Sequence, residues 1–201
     1  MRVVAGRLGG RVLKAPAGDA TRPTGARVKE ALFSILGDVS GARVLDLYAG
    51  SGALGIEALS RGALHAVFVE AARPALACLR HNLESLGLRG EHSQVLPVRV
   101  AAAQRELREL APFDLVLCDP PWKDVPAALA ELTALAGAGL FAERARVVLE
   151  HSAKAPPSPP AGAGVGAGTL LVADQRRWGD TGVTLFSLRS DPAAVPVREN
   201  P

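Results

Sequence analysis

The sequence predicts an α/β fold in which helices cover both faces of a largely parallel sheet. Between residues 43 and 150, short apolar runs alternate with segments of helical periodicity, as expected when each helix connects two parallel strands. A glycine turn follows the first of these runs and leads directly into a helical segment. With 201 residues, 48% of them hydrophobic, the chain is long enough to bury the core of one ordinary domain.

The predicted elements follow one another in a regular order. Apolar runs predict strands at residues 43–47, 66–70, 95–100, 114–118 and 146–150. Helical spacing of apolar residues predicts helices at residues 26–36, 53–60, 73–86, 102–110 and 125–136. Residues 152–168 are rich in proline, alanine and glycine and predict a loose surface connection. Beyond it, residues 169–174 and 182–189 predict an antiparallel hairpin at one edge of the sheet.

Positive charge is concentrated near the N-terminus. Residues 1–30 contain seven Lys and Arg against two Asp and Glu, a net charge of +5, whereas the whole chain carries +3. Within this region, residues 2–14 predict two short strands that fold at Gly9-Gly10. A basic segment on a near-neutral body favours a polyanionic partner, although a merely solvated surface would have the same composition. The candidate contacts are Arg2, Arg7, Arg11, Lys14, Arg22 and Arg27.

The first candidate site is the turn Gly50-Ser51-Gly52, which joins a predicted strand to a predicted helix. Such a turn presents backbone N–H groups and the positive end of a helix dipole to a ligand. With Gly55, its spacing also satisfies a dinucleotide fingerprint, a match that is weak by itself. Asp46 would repel a pyrophosphate there but would bind a cationic amino group, such as that of S-adenosylmethionine. Alternatively, Asp46 caps the turn or the following helix.

The second candidate site is Asp119-Pro120-Pro121-Trp122, directly after a predicted apolar strand. The prolines impose a rigid, extended turn and supply no N–H, so the acceptors are the Asp119 carboxylate and backbone carbonyls. This set suits a planar ring with an exocyclic amine, because the acceptors can orient both N–H bonds while Trp122 stacks on the ring. That orientation frees the nitrogen lone pair for an electrophile. The alternative is an ordinary turn with a packed Trp.

Other patterns exclude several classes of function. Cys78 and Cys118 lie in apolar contexts, and we expect reduced core thiols in a cytoplasmic protein. The four histidines are scattered and lack ligand spacing, so no metal site is expected. No apolar run approaches the length of a membrane span, and the first residues lack a hydrophobic signal core, so no membrane partner is expected.

Together, the two turns resemble those of class I S-adenosylmethionine-dependent methyltransferases that modify exocyclic amines of nucleobases. More closely, most of the chain resembles the bacterial 16S rRNA guanine-N2 methyltransferases of the guanine(966) type. The matching segments are Arg2-Val-Val-Ala-Gly, Gly10-Arg11, Arg22-Pro-Thr24, Arg27-Val-Lys-Glu30, Leu32-Phe33, Ala49-Gly-Ser-Gly-Ala-Leu-Gly55 and Glu57-Ala-Leu-Ser-Arg61. The resemblance implies a Rossmann-like fold: a mostly parallel seven-stranded sheet, an antiparallel edge hairpin and a small N-terminal β-hairpin extension.

The resemblance also implies a division of the chain and a set of partners. Residues 1–24 would form the basic hairpin and the loop after it, residues 25–190 the methyltransferase domain, and residues 191–201 a disordered tail. The expected cofactor is S-adenosylmethionine, without a metal. The expected partner is 16S rRNA, free or within an assembling small subunit, and the protein is expected to be a monomer.

Individual roles follow from the same resemblance. The groups implied to hold the methionine part of the cofactor are Asp46 and the backbone of Ala49, Gly50, Ser51 and Gly52. Glu70 would accept hydrogen bonds from the ribose hydroxyls. The groups implied to hold the guanine are Asp119, the Pro120 carbonyl, Pro121 and Trp122. Where the family usually contacts adenine through an Asp or Asn followed by Ala, this chain has Val100-Ala101-Ala102, so backbone groups near Ala101 would serve instead.

Two alternatives belong to other classes of function. One is an NAD-dependent oxidoreductase that uses the glycine spacing and places Glu70 on the adenosine ribose, although no acid–base motif for hydride transfer is visible. The other is a non-catalytic RNA-binding module on the same fold, which has no need for both Asp46 and Asp119.

Overall fold

Seven strands form one sheet in the computed structural model, which describes residues 1–16, 25–157 and 168–188. The strands are β1 Arg43–Leu47, β2 His65–Val69, β3 Ser93–Leu96, β4 Phe113–Cys118, β5 Phe141–Ser152, β6 Leu170–Trp178 and β7 Thr181–Leu188. Their order in the sheet is β3-β2-β1-β4-β5-β7-β6. Strands β1 to β5 are mutually parallel, whereas β7 is antiparallel to both β5 and β6. The predicted α/β fold and its antiparallel edge hairpin are therefore confirmed.

Five α-helices connect or precede these strands in the described part of the chain. They are α1 Ala26–Leu36, α2 Ala53–Ser60, α3 Arg73–Ser85, α4 Gln104–Leu110 and α5 Val125–Gly137. Two short 3₁₀ turns, Val100–Ala102 and Trp122–Asp124, lie before α4 and α5. None of the described helices is both long and apolar enough to cross a membrane.

Alternating side chains along the strands divide the core into two layers. Val44 of β1 packs with residues of α1, α2 and α3 on one face, whereas Leu45 and Leu47 pack with α4 and α5 on the other. Strands β1, β2 and β4 are buried on both faces, which explains why each is a nearly continuous apolar run.

The third strand is shorter than predicted. The predicted strand covers residues 95–100, whereas β3 begins at Ser93 and ends at Leu96, and Val100–Ala102 forms a 3₁₀ turn. Pro97 follows Leu96 directly, and a proline cannot donate a hydrogen bond to the neighbouring strand. Ala101 consequently lies in a turn after the last residue of β3 that pairs with β2, and its side chain is exposed.

The N-terminal arm, residues 1–16, is a hairpin with a wider turn than the sequence predicts. Its pairing consists of one antiparallel bridge between Arg2 and Val12 in place of two short strands, and residues 5–10 form the turn. Gly6 and Gly10 both have left-handed φ values in this turn, +78° and +83°, and a Cβ at Gly6 would lie 1.9 Å from the Ser60 carbonyl oxygen. The arm therefore lies tightly against α2.

Some predictions fall outside the described residues. The loop that contains Arg22 lies in residues 17–24, and most of the proline-rich connection lies in residues 158–167. The predicted tail, residues 191–201, lies within the undescribed residues 189–201. The division of the chain at residues 24 and 190 therefore stays a prediction.

Candidate functional site

Two turns lie side by side where the strand order reverses. Strands β1 and β4 are neighbours, paired through Leu47 and Cys118, and the chain leaves them toward opposite faces of the sheet. The glycine turn, residues 48–52, follows β1, and the proline turn, residues 119–122, follows β4. The Asp119 N–H also donates to the Leu47 carbonyl at 3.4 Å. Open α/β sheets bind ligands at such a reversal, outside the carboxyl ends of the strands.

The glycine turn has a backbone shape that side chains would prevent. Gly50 and Gly52 have φ values of +57° and +82°, and Tyr48 shares this left-handed region with φ +56°. A Cβ at Gly52 would lie 2.5 Å from the Leu79 side chain, whereas a Cβ at Gly50 would meet nothing nearer than a carbonyl oxygen at 3.9 Å. The turn therefore packs tightly on its Gly52 side and is open above Gly50, where a ligand can approach the backbone.

Asp46 is a buried carboxylate beneath this turn. Its side chain is 1% exposed, and its Oδ2 accepts a hydrogen bond from the Gly55 N–H at 2.9 Å. Gly55 is the third residue of α2, so the helix-capping alternative is realised in the structure. Burial raises the pKa of Asp46 well above its ordinary value, and the negative charges of Asp119 and Glu70 raise it further, against the lowering effect of the Gly55 hydrogen bond.

Glu70 joins the end of β2 to the glycine turn. Its Oε2 accepts from the Gly50 N–H at 2.8 Å, and its Oε1 accepts from the N–H groups of Ala71 and Ala72 at 2.8 and 2.7 Å. The Gly50 amide, which we expected to be available to a ligand, therefore donates to a carboxylate of the protein, as does the Gly55 amide. The glycine turn thus lies among carboxylates, a setting that favours a cationic ligand over a pyrophosphate.

The proline turn presents the second group of candidate residues. Asp119 is partly buried and close enough to Asp46 to affect its pKa. Pro120 is buried and Pro121 is exposed, and the Pro121 carbonyl accepts from the Asp124 N–H at 2.7 Å. Trp122 is 38% exposed, so its indole is not a packed core side chain. The alternative of an ordinary turn with a packed Trp is therefore not supported.

Two other contacts of the glycine turn were not predicted from the sequence. The Tyr48 hydroxyl donates to Glu131 Oε2 of α5 at 2.7 Å; burial, followed by this hydrogen bond to Glu131, raises the pKa of Tyr48. Asn82 of α3 is 1% exposed and donates from Nδ2 to the Ser51 carbonyl at 2.9 Å. Asn82 follows Leu79 at helical spacing on the apolar face of α3. A polar residue at such a position is the feature of the sequence that could have indicated a buried hydrogen bond.

The N-terminal arm extends from the glycine turn to the far ends of α2 and α3. Near the turn, the Ser51 hydroxyl donates to Met1 Sδ at 3.6 Å. At the other end, the Arg7 N–H donates to the Ser60 carbonyl at 2.8 Å, and Arg11 Nη2 donates to the Ser85 carbonyl at 3.4 Å. The candidate side chains of Arg2, Arg7, Arg11, Lys14 and Arg27 are all exposed. They are spread along the arm and α1 and do not form one cluster.

Glu57 of α2 holds the arm in place. It is completely buried and accepts from the N–H groups of Val4 and Ala5 at 2.7 and 3.0 Å. Lys29 Nζ and Arg61 Nε lie 3.2 and 2.9 Å from its carboxylate oxygens. Burial lowers the pKa of Lys29, whereas the adjacent Glu57 carboxylate opposes that shift. This buried cluster joins the arm, α1 and α2 into one unit.

The cysteines and potential metal ligands add no second site. Cys78 and Cys118 are free, buried thiols, as expected. Burial raises the pKa of Cys118 well above its ordinary value, and the Asp119 charge adds to this effect, so the thiol is a poor nucleophile. Within residues 1–16, 25–157 and 168–188, no three His, Cys, Asp or Glu side chains are grouped as metal ligands.

Comparisons with known proteins identify a family and several relatives. The family described as "Conserved hypothetical protein 95" matches residues 1–186. The "Putative rRNA methyltransferase YlbH" of Bacillus subtilis is 37% identical over 195 residues, which are 94% of this chain and 100% of that protein. "Ribosomal RNA small subunit methyltransferase D" of Haemophilus influenzae is 36% identical over 123 residues, 61% of this chain and 64% of that protein. The solved structure of a hypothetical protein from Thermus thermophilus superposes with a TM-score of 0.75 at 30% identity, covering 93% of this chain and 99% of that one.

Proposed function

The chain belongs to the family described as conserved hypothetical protein 95, and we propose that it transfers a methyl group from S-adenosylmethionine to the exocyclic N2 amine of a guanine in 16S rRNA. The observation behind this proposal is the pairing of two turns at the reversal between β1 and β4. One turn suits a cationic cofactor, and the adjacent turn suits a flipped base. The names of the relatives from Bacillus subtilis and Haemophilus influenzae support rRNA as the substrate.

The glycine turn fits S-adenosylmethionine in shape and in charge. The space above Gly50 lets a ligand approach the backbone, and Asp46 and Glu70 supply negative charge for the ammonium and sulfonium groups. Glu70 stands at the end of β2, where its Oε1 and Oε2 can exchange backbone partners for ribose hydroxyls. Backbone groups near Ala101 are the proposed contacts to adenine. The cofactor supplies an electrophilic methyl group on a positively charged sulfur.

The proline turn fits the guanine. The Asp119 carboxylate and the Pro120 carbonyl accept the two N2 hydrogens, and Pro121 keeps the chain extended. With both N–H bonds directed in this way, the nitrogen lone pair points away from the base plane and toward the methyl donor. Trp122 offsets the lost base stacking through its exposed indole. A nitrogen–carbon bond forms as the sulfur–carbon bond breaks, and the amine's extra proton then leaves to Asp119 or solvent.

The N-terminal arm fits the remainder of the RNA. Its exposed basic side chains are spread along the arm as far as the C-terminal ends of α2 and α3, where Arg11 contacts Ser85, and can contact phosphates of a folded substrate. The proposed partner is 16S rRNA, free or in an assembling small subunit. The proposed site of action is the cytoplasm, and the proposed state of the protein is a monomer.

The two alternatives fit the structure less well. For an NAD-dependent enzyme, the amides of Gly50 and Gly55 should be available to a pyrophosphate, but they donate to Glu70 and Asp46. For a non-catalytic RNA-binding module, there is no reason for three carboxylates around the reversal of the sheet.

Two measurements on the purified protein test the proposal. S-adenosylhomocysteine should raise the melting temperature, whereas NAD should leave it unchanged. The protein should then transfer labelled methyl groups to 16S rRNA or to isolated small subunits, and nucleoside mass spectrometry should identify N2-methylguanosine. Stabilisation by NAD alone, or a methylated base other than guanine, would refute the proposal.

A further inference from the structure

We infer that Asn82 is a positioning residue that couples RNA binding on the N-terminal arm to cofactor binding at the glycine turn. The inference rests on the proposed function, because it presupposes both ligands, and it adds a physical link between them. Asn82 lies on α3, and its side chain is 1% exposed between the arm and the turn.

The amide of Asn82 contacts both regions through one planar group. Oδ1 accepts from the Lys14 N–H at 2.8 Å, and Nδ2 donates to the Lys14 carbonyl at 2.9 Å. The second Nδ2 hydrogen goes to the Ser51 carbonyl, also at 2.9 Å. Both donors of the amide are therefore used, one for each region. Because the group is rigid, a shift of the Lys14 backbone must move the amide away from Ser51 or carry Ser51 with it.

Both ends of this link lie where a ligand would act. The Lys14 side chain is exposed on the basic arm, so a phosphate bound to it pulls on the backbone that Asn82 holds. At the other end, Ser51 lies between Gly50 and Gly52, and its carbonyl fixes the peptide plane in the middle of the glycine turn. Met1, the first residue of the arm, also contacts Ser51, because its Sδ lies 3.6 Å from the Ser51 hydroxyl.

The arm does not depend on Asn82 for its attachment. Glu57 binds the N–H groups of Val4 and Ala5, and Lys29 donates to the Arg2 carbonyl at 2.8 Å. Removing the Asn82 amide should therefore leave the arm on the protein while breaking its connection to the glycine turn. A merely structural residue would behave differently, because its loss would weaken cofactor binding equally with and without RNA.

The experiment measures the affinity for S-adenosylhomocysteine by calorimetry, with and without a 16S rRNA transcript. In the unmodified protein, RNA should tighten cofactor binding about five- to tenfold, at the low end of usual coupling between sites, and the cofactor should tighten RNA binding by the same factor. Asn82→Leu, similar in size but without the amide, should reduce this factor to near one. Ser85→Ala, which removes a neighbouring hydroxyl bonded within α3, is the matched control and should keep the factor.

Two additions make the result decisive. If Asn82→Leu does not fold, Asn82→Asp takes its place, because it keeps the acceptor for Lys14 while losing both donors. In the cofactor-free protein, hydrogen exchange should show that RNA protects the amides of residues 49–55, and that Asn82→Leu abolishes this protection.

The inference is overturned if the unmodified protein shows a coupling factor of one, or if a folded Asn82 variant keeps the full factor. Neither outcome would affect the proposed function, which is tested separately by the thermal shift with S-adenosylhomocysteine and NAD and by the formation of N2-methylguanosine.

Discussion

The glycine turn and the proline turn lie next to each other but are built in opposite ways. The glycine turn is largely buried, and carboxylates of Asp46 and Glu70, together with the amide of Asn82, hold the backbone in and around it. The proline turn is shaped by the pyrrolidine rings of Pro120 and Pro121, and its Trp122 side chain is 38% exposed. One turn is organised by side chains from other elements, whereas the other is stiff because of its own residues.

This difference suits two kinds of ligand. A small cofactor needs a preformed site, because every group that must be ordered on binding reduces the affinity. A base that is part of a large RNA must enter and leave, and an exposed stacking surface on a rigid turn allows this without rearrangement of the core. Changes in the two turns should therefore affect different measured quantities.

The largest effect is expected at Asp119. Asp119→Ala should reduce the rate of methyl transfer about a hundredfold or more, because it removes a group that orients the amine in the transition state. The affinity for S-adenosylhomocysteine should hardly change. Asp119→Asn separates geometry from charge, because it keeps one acceptor oxygen without the negative charge. A normal rate for Asp119→Ala would contradict the role of the proline turn.

Asp46 should show the opposite pattern. Asp46→Asn should weaken binding of S-adenosylmethionine by roughly 1.5–3 kcal/mol, as expected when a charged partner is lost, whereas Asp46→Ala should also lose the helix cap. Calorimetry measures this change, and an unchanged affinity would show that Asp46 does not act on the cofactor.

The pH dependence of stability sharpens this test. The pKa of Asp46 is raised in the folded state, so the folded protein binds more protons than the unfolded one between the ordinary and the raised value. Its contribution to stability therefore decreases as the pH rises through that window. Asp46→Asn removes this loss of stability at high pH. Without ligand, the stability of the variant relative to the parent protein should therefore be greater at pH 8 than at pH 5. A melting temperature that falls relative to the parent protein as the pH rises would contradict this assignment.

Trp122 should have an intermediate effect. Trp122→Ala removes the stacking surface and should weaken productive RNA binding by about 1–3 kcal/mol, the usual range for one stacked base. Because the side chain is partly exposed, the variant should remain folded. Trp122→Tyr keeps a stacking ring and should retain most activity, measured as kcat/KM for RNA. Equal losses in both variants would indicate that stacking is not its role.

The smallest effect per residue is expected on the arm. Arg7→Gln and Arg11→Gln should each reduce the salt dependence of RNA binding by about one unit of slope, because each removes one phosphate contact. Arg105→Gln and Arg108→Gln on α4, exposed on the other face of the sheet, are the matched controls. A slope that changes with the controls, or with neither pair, would show that the arm does not bind the RNA backbone.

The same comparison explains what the sequence could predict. The apolar alternation and the glycine and proline turns are local signals, and they located α1 and α2 at the residues observed. The third strand was predicted at residues 95–100 but lies at Ser93–Leu96, because Pro97 cannot extend the hydrogen bonding beyond Leu96. The bond from Asn82 to Ser51 spans 31 residues, and no local pattern specifies such a contact before the fold is formed. The same holds for the hydrogen bonds from the Val4 and Ala5 N–H groups to Glu57, which join residues 53 and 52 positions apart in the sequence.

The most direct test compares 16S rRNA from cells that contain this gene with RNA from cells that lack it. Nucleoside mass spectrometry and site mapping should find one N2-methylguanosine that disappears with the gene and returns with the unmodified protein. Asp119→Ala should fail to restore it, although its folded protein still binds the cofactor. If the RNA of the two cell types carries the same methyl groups, or if Asp119→Ala restores the missing one, the joint role of the two turns is contradicted.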